Sequence, residues 1–250
     1  ITWMGRSICR AGISYHPSRL SDLISIIVPV YNEVRTVRAV LDRLLAIDLP
    51  VDREILVIDD GSTDGTRDVL RAAGEEGLAV AVFLAERNGG KGSAIRRGMQ
   101  EATGTIIAIQ DADLELDPGQ LAELVEPILR GDTDVVYGSR FLNGYAGMPR
   151  LSAAANRVLT GVTNLLYGAS ITDMETCYKV MRVEVLRSMT LESNGFGIEP
   201  EMTAKIFKRG YRVYEIPITY AGRGYNEGKK ITWTAGLVAL WVLLKFRFTE

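Results

Sequence analysis

The sequence predicts an α/β fold with a mostly parallel, doubly wound sheet that carries helices on both faces. Short runs rich in Val and Ile alternate, over residues 22–140, with segments whose apolar residues recur at helical spacing. This alternation is typical of parallel strands joined by crossover helices. The strand segments are almost continuously apolar, as strands buried on both faces are. We therefore expect a Rossmann-like sheet in this part of the chain.

Five segments have the composition of buried strands: residues 24–30, 54–59, 80–86, 105–110 and 135–139. Between them, apolar stripes at residues 37–45 and 121–129 predict helices that pack on the sheet. The alternation stops after Phe141. The later elements that we expect are a glycine-containing loop at 143–147, helices at 153–167 and 200–209, a strand at 213–220 interrupted by Pro217, and a terminal helix from Ile231.

The domain organisation follows from these elements. We expect residues 1–21 to be an N-terminal tail and residues 22–250 to be one domain, because no polar linker interrupts them. Within that domain, residues 22–140 form the regular half, 141–230 a C-terminal lobe and 231–250 an amphipathic terminal helix. The apolar stretch of this helix is shorter than the roughly 20 residues that span a bilayer. We expect the helix to lie on a lipid surface, in the core or in a subunit contact.

Charge and cysteine content exclude several classes of protein. Lys and Arg number 29 against 31 Asp and Glu, and this balance gives no reason to expect binding to nucleic acid. Cys9 and Cys177 lie far apart and lack the spacing of metal ligands, so neither a disulfide framework nor a zinc site is predicted. A reducing, cytosolic compartment fits this cysteine usage.

Polar residues follow three of the predicted strands, at residues 29–33, 59–66 and 110–115. Ligands of open α/β sheets bind beyond the carboxyl ends of the strands, so these clusters are expected to meet at one site. The acidic residues would repel one another without a cation or hydrogen-bond donors between them. Asp111 and Asp113 flank a small residue, and both can reach Mg²⁺ or Mn²⁺. The alternative is a helix-capping turn at 59–66 and a surface turn at 111–113.

A glycine-rich loop at residues 87–92 follows the third strand and opens a helix. Such a loop can present backbone N–H groups and the ammonium of Lys91 to a phosphate. It is not a Walker loop, because Gly92 stands where Ser or Thr is required, and its glycine spacing does not match the dinucleotide fingerprint. The sequence thus argues against a P-loop ATPase and against an NAD-dependent enzyme.

From about residue 23 to the C-terminus the chain resembles the family 2 glycosyltransferases of GT-A fold, specifically the dolichol- or polyprenyl-phosphate mannose or glucose synthases. The motifs that carry the resemblance lie at residues 27–33, 59–66, 88–92, 111–113, 138–140, 172–173 and 178–179. Two positions depart from it. Cys177 and Tyr178 stand where many relatives have Gly-Phe, which affects the sugar pocket, and Glu115 stands where many have Gln.

The resemblance implies a role for individual residues. The base and ribose of a nucleotide diphosphate sugar would be held by Pro29, Tyr31, Glu33 and Asp60. The metal, Mg²⁺ or Mn²⁺, would be held by Asp111 and Asp113, with Glu115 close to it. The phosphate of the acceptor would meet Arg140, with Arg150 or Arg157 as a second arginine. Further candidates for substrate contacts are Lys91, Lys179 and Lys229.

The implied reaction is an inverting transfer of a hexose, from GDP-mannose or UDP-glucose, to a polyprenyl or dolichyl phosphate at the cytoplasmic face of a membrane. A phosphate monoester has a second pKa of about 6, so it is already a nucleophilic dianion and needs no general base. A hydroxyl acceptor would need one, and Asp173, Glu199 and Glu201 are the candidates.

Two alternatives remain open at this point. One is a soluble family 2 glycosyltransferase that acts on a hydroxyl of a saccharide or small molecule, and the other is a non-catalytic sensor of nucleotide sugars. A membrane surface and a second copy of the chain, in a homo-oligomer, are the further partners that the apolar terminal helix suggests.

Overall fold

The computed structural model describes residues 22–142, 144, 148–222 and 233–249. The strands in this part of the chain are β1 (Leu23–Val30), β2 (Asp52–Asp59), β3 (Ala81–Leu84), β4 (Ile106–Ile109), β5 (Val135–Ser139), β6 (Lys179–Arg182) and β7 (Val213–Pro217). The α-helices are α1 (Val37–Ala46), α2 (Thr66–Glu75), α3 (Lys91–Glu101), α4 (Leu121–Arg130), α5 (Arg150–Tyr167), α6 (Val183–Arg187), α7 (Ile198–Lys208) and α8 (Trp233–Phe248).

The strands form one sheet in the order β3-β2-β1-β4-β6-β5-β7. Every neighbouring pair is parallel except those that involve β6, which is antiparallel to both β4 and β5. The predicted mostly parallel α/β sheet is therefore confirmed. The sequence did not predict β6. Because β6 runs against its neighbours, the segment before it lies at the edge where β4 and β5 end.

Both faces of the sheet are covered, as the continuous apolar strands predict. In β1, Ile24, Ile26 and Val28 face one core cluster and Ile27 faces the other. Helices α1, α2 and α4 pack on the first cluster, and α3, α7 and α8 contribute to the second. This arrangement fixes the strands on both sides and leaves the carboxyl edge of the sheet for polar residues.

The five predicted strands are found with ends within two residues of the prediction, and helices α5 and α7 begin earlier than expected. The predicted start of the terminal helix, Ile231, lies outside the described residues. Helix α5 begins at Arg150, directly after Pro149, and α7 begins at Ile198. Strand β7 ends at Pro217, before the predicted end at residue 220, although the N–H of Ile218 still donates to the Ser139 carbonyl oxygen at 2.9 Å. The predicted loop at 143–147, apart from residue 144, and Lys229 lie outside the described residues. The proposed division at residue 140 stays a prediction.

Helix α8 is apolar around most of its circumference. One side is buried through Ala239, Val242, Leu243 and Phe246, and the other side exposes Leu237, Trp241, Leu244 and Phe248. The expectation that this helix lies in the core is therefore met on one side of the helix only. Among the described helices, none combines the length and the apolar character needed to cross a membrane.

Candidate active site

The loops after β1 and β2 are joined to each other at the carboxyl edge of the sheet. Backbone N–H groups of the first loop donate to side chains of the second: Asn32 to Ser62 Oγ (2.9 Å) and Glu33 to Thr66 Oγ1 (2.9 Å). In return, the N–H of Thr63 donates to Asn32 Oδ1 at 2.8 Å. These bonds hold the 29–33 and 59–66 motifs side by side, as the parallel strand order predicts. Tyr31 and Pro29 are partly exposed there.

Asp60 fixes the glycine-rich loop. Its two carboxylate oxygens accept hydrogen bonds from the N–H groups of Gly89 (2.8 Å) and Gly90 (2.7 Å). Gly61 has a φ of +77°, and a Cβ there would lie 2.5 Å from the Asn88 nitrogen, so only glycine fits this crossing. The two N–H groups expected to face a phosphate are thus engaged by Asp60. Its predicted contact with the donor nucleoside remains a prediction.

Lys91 opens α3 and points its ammonium at the residues after β4. Lys91 Nζ lies 2.8 Å from Asp111 Oδ1 and 3.2 Å from both Glu199 Oε1 and Cys177 Sγ. Burial alone would lower the pKa of Lys91, but Asp111, Cys177 and Glu199 raise it well above its usual value. Burial opposes ionisation of Asp111, and Lys91 outweighs this so that the pKa of the carboxyl is lowered. Both groups are therefore charged.

This pair continues into a buried chain of alternating charges. Lys179 is fully buried, its Nζ lies 2.7 Å from Glu199 Oε2, and its ammonium lies 4.7 Å from the centre of the Tyr137 ring. Glu199 Oε1 accepts no hydrogen bond in the described structure, so its contact with Lys91 is electrostatic only. Lys179 thus lies behind the site and orients Glu199, rather than facing the open edge where we expected a substrate contact.

The remaining carboxylates of the predicted metal motif have other contacts. Asp113 Oδ1 accepts from the N–H of Glu115 at 3.1 Å, and Glu115 Oε2 accepts from Tyr220 Oη at 2.7 Å. Leu114 between them has a φ of +60°, an uncommon conformation for a branched side chain. Ala112 is buried in the core, while Asp111 and Asp113 on either side remain partly exposed.

The donor set fits Mg²⁺ or Mn²⁺ bound together with a diphosphate. Within the described ranges, no group of three or more His, Cys, Asp or Glu side chains is arranged to hold a metal ion. Mg²⁺, however, is usually held by one or two carboxylates, with waters and substrate phosphate oxygens completing its coordination. Asp111 and Asp113 supply two oxygen-bearing groups of that kind, so a metal would require the nucleotide as a further ligand.

Arg140, which follows β5, forms the second charged pair of the edge. Its Nε and Nη2 donate to the two oxygens of Asp173 at 2.7 and 2.8 Å, and its backbone N–H donates to Asp173 Oδ2 at 3.0 Å. Burial alone would lower the pKa of Arg140, and Asp173 more than reverses this. Glu215 of β7 positions Asp173, since its carboxylate accepts from the N–H groups of Thr172 and Asp173. The Arg140 guanidinium also lies over the Tyr220 ring.

The two further arginines predicted for the acceptor phosphate are both exposed on α5. Arg157 lies with its guanidinium 5.4 Å from the centre of the Phe141 ring, next along the chain from Arg140. Arg150 is at the first position of the helix. The structure thus brings Arg157 near the Arg140 segment, and it shows no such contact of Arg150 with another residue of the described ranges.

Glu175 is a candidate that sequence reasoning missed. Its Oε1 is buried without a hydrogen-bond partner. Burial raises the pKa of Glu175 to about 7; Lys179 and Arg140 act against the rise, and Glu199 and Asp173 add to it. The only signal in the sequence is a lone Glu between Met174 and Thr176 in the segment before β6. Its position became informative only once β6 was known to enter the sheet beside β4.

The mostly parallel sheet, with a carboxylate motif after β4, matches the GT-A fold of solved glycosyltransferase structures. The crystal structure of glucosyl-3-phosphoglycerate synthase from Mycobacterium tuberculosis, in complex with Mn²⁺, UDP and glucosyl-3-phosphoglycerate, superposes with a TM-score of 0.69. It is 21% identical, and the match covers 90% of this chain and 80% of that one. At this identity the likeness concerns the fold.

The sequence profile of glycosyl transferase family 2 matches residues 25–190, and the chain belongs to this family. Glycosyltransferase AglJ of Haloferax volcanii is 31% identical over 81% of this chain and 64% of its own length. Undecaprenyl-phosphate mannosyltransferase of Micrococcus luteus is 30% identical over 81% of this chain and 85% of its own. Against AglJ and AglD of Haloferax volcanii the chain spans only 64% and 33% of their length. The family resemblance predicted from the motifs is confirmed.

Proposed function

We propose that this protein transfers a hexose from a nucleotide diphosphate sugar to a polyprenyl phosphate, with inversion and with a divalent metal. The observation that carries the proposal is the pairing of Arg140 with Asp173 at the same sheet edge as Asp111 and Asp113. Asp173 engages two of the five N–H groups of the guanidinium side chain, and the others remain to bind a phosphate. The similarity to the undecaprenyl-phosphate mannosyltransferase of Micrococcus luteus supports this acceptor class.

The carboxylates that were candidates for a general base support a phosphate acceptor. Asp173 is fully buried and both of its oxygens bind Arg140. Glu199 lies between Lys91 and Lys179, and Glu201 is buried against Lys205 at 2.8 Å. Each of these three carboxylates is thus paired with a cation of this chain. A phosphate dianion needs no such base, whereas a hydroxyl does.

In this proposal, each side of the site performs one task. A divalent ion held by Asp111 and Asp113 would offset the charge that develops on the departing nucleotide diphosphate. Arg140 binds the acceptor phosphate and offsets the repulsion between two anionic substrates, and Asp173 orients its guanidinium. Pro29, Tyr31 and Glu33 line the edge where the donor nucleoside would lie. GDP-mannose and UDP-glucose remain the two donors that we propose.

The surface formed by α5 and α8 supports docking on the cytoplasmic face of a membrane. Tyr167 of α5 donates to the Leu243 carbonyl oxygen at 2.6 Å, so the two helices lie side by side. Neither helix contains Asp or Glu, and both carry Arg or Lys. Large apolar side chains exposed on them are Leu151, Val158, Leu165, Leu237, Val238, Trp241, Leu244 and Phe248. Exposed apolar residues combined with cations suit the interface of an anionic bilayer.

Glu175 favours a second candidate function, transfer to a hydroxyl. Its pKa of about 7 and its unpartnered Oε1 suit a general base near neutral pH.

The test of these alternatives is to incubate the protein with Mn²⁺ and each nucleotide sugar, and to offer either a polyprenyl phosphate or saccharide hydroxyls as the acceptor. We expect transfer to the phosphate. Turnover with hydroxyls alone would reject the first proposal, and donor binding without turnover on any acceptor would favour the sensor alternative.

A further inference from the structure

The contacts of Lys91 lead to an inference that rests on the proposed metal site at Asp111. Lys91 Nζ lies 2.8 Å from Asp111 Oδ1, one of the oxygens expected to bind the metal. A divalent cation and an ammonium cannot both take a short contact with that oxygen without strong repulsion. Lys91 therefore competes with a divalent cation for Asp111, and it has to leave Oδ1 before a metal can take that oxygen.

A second position for the ammonium is already built into the structure. Glu199 Oε1 lies 3.2 Å from Lys91 Nζ, is buried, and accepts no hydrogen bond. Its other oxygen is held by Lys179 at 2.7 Å, which fixes the carboxylate in place. Glu199 itself is only 3% exposed, so an unmet acceptor there is costly. A small movement of Lys91 from Asp111 toward Glu199 would give that oxygen its hydrogen bond and would keep the ammonium paired.

We propose that Lys91 is a tethered cation that alternates between Asp111 and Glu199, and that it prevents Asp111 from binding a divalent metal until the nucleotide diphosphate arrives. With Lys91 on Asp111, the metal alone meets a neutralised carboxylate. With metal and diphosphate bound together, phosphate oxygens would supply the further ligands of the ion, and Lys91 would pair with Glu199. The consequence is positive coupling between metal and nucleotide, with Lys91 as its origin.

This role and that of an ordinary phosphate-binding lysine predict different changes in metal affinity when the lysine is removed. Removing a lysine that only binds phosphate would weaken nucleotide binding and leave the affinity for metal alone unchanged. Removing Lys91 as a competing cation strengthens the binding of metal alone. An opposite charge within about 4–6 Å changes the proton affinity of a carboxylate by a factor of roughly 10 to 1000, and competition with another cation is expected to be of similar size.

The test is a titration of free Mn²⁺ followed by electron paramagnetic resonance, with and without UDP or GDP, on the full chain. For Lys91→Met we expect about tenfold tighter binding of Mn²⁺ alone, and a smaller gain in Mn²⁺ affinity when the nucleotide is added. Lys91→Gln, which keeps a polar side chain, provides a second variant if the methionine variant does not fold. Arg97→Met is the matched control. Arg97 is an exposed cation of the same helix, and it pairs with Glu101 and not with Asp111.

The outcomes separate the two proposals. If both folded Lys91 variants bind Mn²⁺ no more tightly than the unmodified protein, the proposed role of Lys91 is overturned. The same holds if Arg97→Met gains as much Mn²⁺ affinity as the Lys91 variants. If the unmodified protein binds neither UDP nor GDP in the presence of Mn²⁺, the proposed function itself fails. Unchanged coupling between Mn²⁺ and nucleotide in Lys91→Met would also reject the tethered cation, even if the site binds both ligands.

Discussion

The two charged pairs at the carboxyl edge of the sheet are similar in composition and differ in how firmly they are held. Arg140 makes three hydrogen bonds to the carboxylate of Asp173. The Lys91 ammonium contacts one oxygen of Asp111, and it also lies 3.2 Å from Glu199 Oε1 and from Cys177 Sγ. A guanidinium is a rigid fork that matches a carboxylate, whereas an ammonium is a point charge on a flexible stem. The Arg140–Asp173 pair is therefore a fixed unit, and the Lys91–Asp111 pair can exchange partners.

The largest expected effect comes from removing a carboxylate on the exchangeable side. Asp113→Ala should lower transfer by about a thousandfold or more, because the departing diphosphate loses its metal. The measurement is kcat with polyprenyl phosphate, accompanied by a thermal melt that shows an intact fold. Full activity in the variant, or full activity of the unchanged protein in a chelator, would show that this side of the site needs no metal.

The fixed pair should respond differently. Arg140→Lys keeps the charge and loses the two-pronged contact, so kcat/KM for the acceptor should fall by about a hundredfold, a difference of about 2.7 kcal/mol. Affinity for nucleotide with Mn²⁺ should stay unchanged, since Arg140 does not contact the donor side. Arg130→Lys on α4, an exposed arginine, serves as the control. A loss of nucleotide affinity equal to the loss in kcat/KM would contradict the division into two sides.

Glu175 lies near the Arg140–Asp173 pair and near Lys179 and Glu199, and it should make stability depend on pH. Its pKa is about 7 in the folded protein against an ordinary 4.5, so the native state holds a proton that the unfolded chain releases. Stability from this group is fully present below about pH 4.5 and is lost as pH rises through about 7, by roughly 3 kcal/mol. Glu175→Gln should therefore gain stability over the unchanged protein at pH 8 and little at pH 5.

The measurement for Glu175 is the free energy of unfolding by urea at both pH values. Glu123→Gln, at an exposed position on α4, controls for a change of charge alone. A difference between Glu175→Gln and the unchanged protein that is the same at pH 5 and pH 8 would show that Glu175 is ionised throughout.

The smallest expected effect concerns the surface that would present the acceptor side to lipid. Leu165→Ser on α5 should weaken binding to vesicles that contain phosphatidylserine by about tenfold, the value of roughly one buried apolar side chain. Leu84→Ser, at an exposed position of β3, is the matched control and should bind vesicles normally. Sedimentation with vesicles measures both. Equal binding by all three proteins would remove α5 from the proposed membrane contact.

The sequence alone determined the regular part of the molecule. Continuous apolar runs such as 24–30 and 135–139 predicted strands whose bounds agree closely with the structure, because burial on both faces leaves a local signal. The same reasoning brought the 29–33, 59–66 and 110–115 clusters to one edge, since parallel strands end together. The family resemblance rested on these motifs and is confirmed by the family match.

Only the tertiary structure decided which charges meet. No spacing in the sequence relates Lys91 to Glu199, because Lys91 opens α3 and Glu199 lies in the first turn of α7. Glu175 acts on Arg140 only because the segment before β6 reaches the edge where β5 ends. A short antiparallel strand such as Lys179–Arg182 has too few residues to show a period. The energy of an ion pair depends on distance and burial, and neither quantity is written in the local pattern of residues.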